Sequence, residues 1–184
     1  MKWLISSQSI ALMASSVTFP FYLLFIKNLG SSYTSFGFAY GLFILSSAFF
    51  HLPIGRVLDR TGSKSLLILY SFGMAVVYLF IPLLTSLSQV YIIQIVLGFL
   101  GGLQKTAEKG MVAELTEGKQ RGRQIGGYHF WTSLFSAAAV FATGLLIDFF
   151  TVNALFYIAS IFFLGSGLIL LKSPAVNSAF VKKM

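Results

Sequence analysis

The 184-residue chain has no cysteine and few charged side chains, 13 basic and 5 acidic. Without cysteine it cannot form a disulfide framework, a thiolate zinc site or a cysteine nucleophile. Charged types make up 10% of the residues, against roughly 25% in an average soluble domain. A water-soluble domain could not cover its surface with so few charges, and a hydrophobic content of 57% excludes disorder. The composition therefore predicts an integral membrane protein.

Motifs for several kinds of chemistry are also missing. The sequence has no phosphate-binding loop of the Gly-Lys-Ser/Thr type, no cluster of metal ligands and no spacing that supports a Ser/His/Asp triad. We therefore predict no enzyme activity, no metal and no cofactor. The net charge of +8 could suit nucleic acid, but the basic residues lie in short clusters between long apolar runs. This pattern favours membrane flanks and no nucleic-acid partner.

Long apolar stretches make up most of the chain. A bilayer core of about 30 Å takes about 20 helical residues, and the apolar residues do not alternate with the period of two that barrel strands require. The sequence predicts an all-α membrane protein, a single bundle over residues 1–184. Its six transmembrane helices are expected at about 3–26, 33–55, 65–87, 89–112, 124–147 and 152–171.

The basic residues predict the orientation of this bundle. With the amino terminus in the cytoplasm, every basic residue except Lys27 lies on the cytoplasmic side, as membrane proteins prefer. The reverse orientation would invert that ratio. We therefore predict that both termini are cytoplasmic and that the protein lies in the plasma (inner) membrane.

The predicted loop between spans two and three has a distinctive pattern, Gly55-x-x-x-Asp59-Arg60-x-Gly62-x-Lys64. Gly62 permits a tight turn, and Asp59 can accept hydrogen bonds at a nearby helix start. Arg60 and Lys64 would hold the loop in the cytoplasm. The residues alone leave open an ordinary positively charged loop.

This pattern resembles the signature loop of the major facilitator superfamily of secondary transporters, which usually has a basic residue where this chain has Ser63. A second stretch, 108–116 and 121–128, is similar to the family's passage from its fourth span, or from the tenth in its second half, into the next. The resemblance implies a transporter that works by alternating access, with Asp59 and Arg60 in a cytoplasmic latch. Asp59 would then meet a helix start of the other half, and Arg60 would pair with Glu114 at the end of span four.

The predicted bundle has half the span number of that family, whose twelve spans form two halves. One bundle would leave its cavity side open to lipid, where unsatisfied polar groups are costly. Because both halves point the same way, two copies could occupy both positions around a two-fold axis. We predict a parallel homodimer. The alternatives are a piece of a longer protein and a non-transporting subunit with a different partner; the initial Met and the basic tail at 177–184 favour an intact product.

Polar residues on span four recur at helical spacing. Gln94, Gly98, Gly101, Lys105 and Glu108 share one face, which is poorly suited to lipid. In the resembled family the first and fourth spans line the central cavity, so this face is a candidate for substrate or coupling-ion contacts. The GxxxG pattern that begins at Gly98 leaves close helix packing as the alternative.

A second polar stripe lies on span one, where Gln8, Ser15 and Tyr22 recur every seven residues. This stripe is compatible with the same cavity, although such residues also serve helix packing. The abundance of aromatic residues favours a neutral, cationic or hydrophobic small molecule as the substrate. Lys105 would instead favour an anion.

Span five carries His129 and Thr132 on one face. His129 and Glu108 are expected at a similar depth, about 9 Å from the cytoplasmic end of their spans, so the two could meet. A histidine beside a carboxylate can titrate near neutral pH and carry a proton. An ordinary hydrogen-bonding role at the membrane interface is the alternative.

Overall fold

The computed structural model describes residues 1–28, 32–116, 120–147 and 149–174. The tail at 177–184, Lys119 and the predicted loop positions 29–31 and 148 lie outside them. The described residues form helices α1 (Lys2–Asn28), α2 (Tyr33–Thr61), α3 (Ser63–Phe80), α4 (Leu87–Leu115), α5 (Arg121–Leu146) and α6 (Val152–Lys172).

Four of the described segments are long and apolar enough to cross a membrane. They are Tyr33–Thr61, Ser63–Leu83, Leu87–Leu115 and Val152–Lys172. The chain is therefore an all-helical protein with membrane-type helices. The six spans and the cytoplasmic termini stay predictions.

The connection between α2 and α3 is much shorter than the sequence pattern suggests. The predicted span ended at Gly55, but α2 continues to Thr61, so that Asp59 and Arg60 lie in its last turns. No proline or glycine interrupts the chain between Gly55 and Gly62, and the helix therefore has no reason to end earlier. Gly62 alone links the two helices, with φ +79°, a conformation that glycine adopts without strain.

The boundary between α3 and α4 also differs from the prediction. α3 ends at Phe80, several residues before the expected position 87, and a 3₁₀ helix at Ile81–Leu83 follows it. Pro82 explains this end, because proline lacks an N–H and cannot continue an α-helix. α4 then begins with a capping box, in which the Ser86 hydroxyl accepts from the Gln89 amide (3.4 Å) and the Gln89 side chain accepts from the Ser86 amide (3.3 Å).

The six helices pack in a curved row, in the order α2, α4, α3, α6, α1, α5. α3 lies between α4 and α6, at the centre of the row. α1 and α4 are not among the closely packed pairs. They therefore flank a gap that α3 closes from behind.

Small residues and hydroxyl groups hold the row together. An added Cβ at Gly98 of α4 would collide with the Phe43 carbonyl oxygen of α2 and lie 2.7 Å from Ser46 Cβ. The Ser46 hydroxyl donates to the Ile95 carbonyl (2.7 Å) across the same contact. Hydrogen bonds and close approach of this kind replace the hydrophobic effect as the force between helices in a bilayer.

Candidate functional site

A cavity of about 210 Å³ occupies the gap between α1 and α4. Of the residues predicted from the sequence, Ser15 and Tyr22 of α1 line it, together with Gln94 and Lys105 of α4. Gln94 is buried and Lys105 is exposed. The structure therefore brings part of each predicted polar stripe to one cavity.

The back wall of the cavity was missed by the sequence analysis. Tyr70, Met74 and Tyr78 of α3 line it, and so does Gln104 of α4. The signal for α3 was present, because these three residues are spaced by four and share a helical face. An aromatic and methionine stripe is ordinarily a packing face, however, and nothing in the sequence separates the two roles.

The glycines of α4 divide between the cavity and helix packing. Gly101 lines the cavity, whereas an added Cβ at Gly98 or Gly102 would lie within 3.4 Å of atoms of α2. The GxxxG pair therefore serves the α2–α4 contact. The face of α4 that lines the cavity includes Leu97 and Gln104 and leaves out Gly98 and Glu108. It is therefore rotated about the helix axis relative to the face predicted from the sequence.

Gln8 of α1 has an unusual environment. Its side chain is fully buried, at 0% exposure, and neither its oxygen nor its nitrogen has a hydrogen-bond partner among the described residues. Gln8 is not one of the cavity-lining residues, but it shares a helical face with Ser15 two turns away. A buried amide without a partner costs about 1–3 kcal/mol, and because Gln8 is enclosed within the single bundle, a second copy packed on the surface would not reach it.

Glu108 lies beside the cavity, where two neutral side chains hold it. The Gln104 amide donates to one carboxylate oxygen (2.5 Å), and the Tyr128 hydroxyl of α5 donates to the other. The partner on α5 is thus Tyr128 and not His129, which is exposed and packs edge-on against the Tyr128 ring. Adjacent positions on a helix point about 100° apart, so an estimate of depth alone could not choose between them.

Thr132 does not reach the cavity either. It is buried, and its hydroxyl donates to the Tyr128 carbonyl of its own helix (3.0 Å). This bond satisfies the side chain within α5. Its position on the polar face predicted for span five therefore reflects bonding within α5 and helix packing.

The predicted latch residues lie around the α2–α3 junction. The Ser63 hydroxyl donates to Glu114 (2.6 Å), and within the described ranges Arg60 makes no ion pair with that carboxylate. Asp59 and Arg60 are exposed, and no side chain caps the first turn of α3. In this structure the residue that departs from the family pattern, Ser63, is thus the partner of Glu114.

Lys64 has a well-defined role at the same end of the bundle. Its ammonium group donates to the Ser173 carbonyl (2.6 Å), just beyond the last turn of α6. A cation at this position also interacts favourably with the negative end of the helix dipole. Lys64 therefore fastens the start of α3 to the end of α6.

Comparison with known proteins agrees with this architecture. The sequence model of the Major Facilitator Superfamily matches residues 4–183. The chain is 52% identical over 160 residues to the uncharacterized MFS-type transporter YitZ of Bacillus subtilis (strain 168), an alignment that covers 87% of this chain and 98% of that protein.

Other relatives are longer. The chain is 28% identical over 157 residues to the multidrug resistance protein MdtG of Salmonella arizonae, covering 82% of this chain and 39% of that protein. It is 26% identical over 164 residues to the uncharacterized MFS-type transporter YuxJ of Bacillus subtilis, with coverages of 86% and 41%. The chain thus spans about two fifths of the length of these two relatives. The match over nearly all of its residues shows that this half-size chain belongs to the major facilitator superfamily.

Proposed function

We propose that two copies of this chain assemble in the same orientation and form a secondary transporter for a small molecule. Alternating access would expose a shared cavity first to one side of the plasma membrane and then to the other, with all four termini in the cytoplasm. The observation that carries the proposal is the cavity between α1 and α4, which combines aromatic, amide and hydroxyl groups.

The need for a second bundle follows from the position of that cavity. In an isolated bundle, the polar groups between α1 and α4 would meet acyl chains, which cannot form hydrogen bonds. The family builds its transporters from two like-oriented halves around a central site, and a second copy of this chain supplies the missing half. A transporter relative in Bacillus subtilis, 98% of which is covered by the alignment, has a similar length.

The latch residues fit the same assembly. Asp59 and Arg60 are exposed at the end of α2 and are available to a helix start of the second copy. There the carboxylate of Asp59 would interact favourably with the positive end of a helix dipole. We assign Gly55 and Gly62 to the shape of this segment, and Lys64 and Glu114 to holding it against α6 and α3.

Glu108 is our candidate for coupling transport to protons. It is the acidic residue of the described chain that contacts the cavity wall through Gln104. The titratable groups that face it are Tyr128 of α5 and Tyr70 of α3, and Lys105 lies one turn away on its own helix. Glu108→Gln should abolish the dependence of transport on a proton gradient, whereas His129→Gln should not.

The absence of cysteine makes the assembly directly testable by crosslinking. α2 and α5 are the two ends of the row, so a two-fold assembly around the cavity brings α2 of one copy to α5 of the other. Phe49 and Leu134 are exposed near the middle of these helices. Oxidation of the Phe49→Cys/Leu134→Cys variant in native membranes should yield dimers, while the matched Phe49→Cys/Ile161→Cys variant, with its second thiol on α6, should not.

Transport itself requires reconstitution. Purified protein in proteoliposomes should move at least one member of a panel of lipophilic anions, cations and neutral dyes. The homodimer would be contradicted if oxidation of the Phe49→Cys/Leu134→Cys variant yielded monomers and no dimers. A different six-helix chain copurifying at a one-to-one ratio, together with no flux by this chain alone, would favour the non-transporting subunit instead.

A further inference from the structure

The cavity has a charge of one sign at its rim. Among the described residues that line it, Lys105 is the one charged side chain, and it is exposed. In the described part of the chain, no carboxylate oxygen lies within 4 Å of its ammonium group. The cavity therefore offers a cation that has no acidic partner among the described residues.

Glu108, three residues further along α4, is hydrogen-bonded by neutral donors and, within the described part of the chain, forms no ion pair with this cation. Both of its oxygens accept hydrogen bonds, one from Gln104 and one from Tyr128, and Glu108 itself is not among the lining residues. Gln104 stands between the carboxylate and the cavity as a neutral donor.

Five of the described residues that line the cavity are aromatic. Tyr40 and Phe43 of α2 stack at 5.8 Å with an angle of 10° between their rings, and Tyr22, Tyr70 and Tyr78 line the cavity from α1 and α3. Flat aromatic ligands pack well against such surfaces, in stacked or edge-to-face geometry. The amide of Gln94 adds a hydrogen-bonding group at the buried end of the cavity.

From these observations we infer that the ligand of this cavity is a lipophilic aromatic anion, such as a planar carboxylate, whose charge pairs with Lys105. This inference rests on the proposed transport function and names its substrate class. In the two-fold assembly each copy contributes one Lys105, so that the shared cavity carries two cations and attracts an anion more strongly than either bundle alone. The cavity would select its ligand by negative charge and by a flat apolar ring system. Its volume of about 210 Å³ suits a two-ring compound.

Three matched probes test this preference. 1-Naphthoate, its neutral carboxamide and the naphthylmethylammonium cation share one ring system and differ in charge. Binding is measured by calorimetry to the protein in phosphatidylcholine nanodiscs, which contain no anionic lipid, with empty nanodiscs as the reference. The carboxylate should bind about tenfold more tightly than the carboxamide, equivalent to about 1.4 kcal/mol, and the ammonium should bind most weakly.

Lysine variants show whether Lys105 is responsible. Lys105→Gln should reduce the preference for the carboxylate to about twofold or less, and Lys105→Arg should retain it. Lys109 is exposed on the same helix but does not line the cavity, so Lys109→Gln should leave the preference unchanged. Both lysines are exposed, and size-exclusion profiles should verify that all the variants fold.

The inference is overturned if the carboxamide or the ammonium binds as tightly as the carboxylate, or if Lys109→Gln has the same effect as Lys105→Gln. Flux of the same probes into proteoliposomes separates this failure from failure of the proposed function. Transport of the carboxamide or the ammonium without preference for the anion overturns the substrate class but leaves the proposed transport function standing. Absence of both binding and flux for all three probes overturns the substrate class and counts against the transporter as well.

Discussion

Gly98→Ala should weaken the bundle through its largest helix contact. The new Cβ would collide with the Phe43 carbonyl oxygen and lie 2.7 Å from Ser46 Cβ. Backbone and Cβ atoms cannot rotate away as the end of a side chain can, so the helices must separate. Overpacking of this kind costs about 1–3 kcal/mol. Separation also endangers the bond from Ser46 to the Ile95 carbonyl, worth about 0.6 kcal/mol in a membrane.

The opposing effect is the intrinsic preference of helices for alanine. Replacing glycine with alanine inside a helix contributes up to about 1 kcal/mol, which leaves a net loss of about 0.5–2.5 kcal/mol. Gly165 provides a matched control, because it lies inside α6 and an added Cβ there would meet nothing within 4 Å. Gly165→Ala should therefore be neutral or slightly stabilising.

The free energy of unfolding can be measured by SDS titration of the protein in mixed micelles, followed by circular dichroism. Gly101→Ala provides an intermediate case, because its Cβ would approach the end of the Phe43 ring at 3.2 Å, and a ring can shift. The expected order of stability is Gly165→Ala, then Gly101→Ala, then Gly98→Ala. A Gly98→Ala protein as stable as the Gly165→Ala protein would refute the close approach of α2 and α4.

Three further predictions concern single side chains. Lys64→Gln should lower the unfolding free energy by about 1 kcal/mol, because the partly buried bond to the Ser173 carbonyl loses its charge, while the exposed Arg56→Gln should not. Gln8→Met should leave thermal stability unchanged or raise it by about 1 kcal/mol, since the buried amide has no partner in the described structure; a clear loss of stability would show that it has one. Asp59→Asn should reduce transport in proteoliposomes without changing the unfolding curve, and unchanged flux would count against the latch.

The polar stripes of α1 and α4 illustrate what the sequence could predict. Helical spacing placed Ser15 and Tyr22 on one polar face and Gln94 and Lys105 on another, and the family resemblance assigned both faces to a cavity, which these four residues line. Periodicity succeeded because a helix fixes which residues share a face. It left open which polar residues meet the cavity and which meet another helix, and for Gly98 the structure shows the helix contact.

The neighbours of Glu108 show where sequence reasoning failed. Depth in the membrane suggested His129, and the structure has Tyr128 there instead. One step along a helix rotates a side chain by about 100°, and the rotation of α5 about its axis is set by its packing against α1. The bond between Ser63 and Glu114 was missed for a similar reason, because it depends on where the single-residue turn at Gly62 directs α3.

That turn has a mechanical consequence. Only one residue joins α2 and α3. A tilt of α2 must therefore displace the start of α3 by a similar distance. Lys64 passes the same displacement to the far end of α6. A displacement at the α2–α3 turn is thus transmitted to three helices. A turn lengthened by a few flexible residues would allow α2 to tilt without moving α3 and α6.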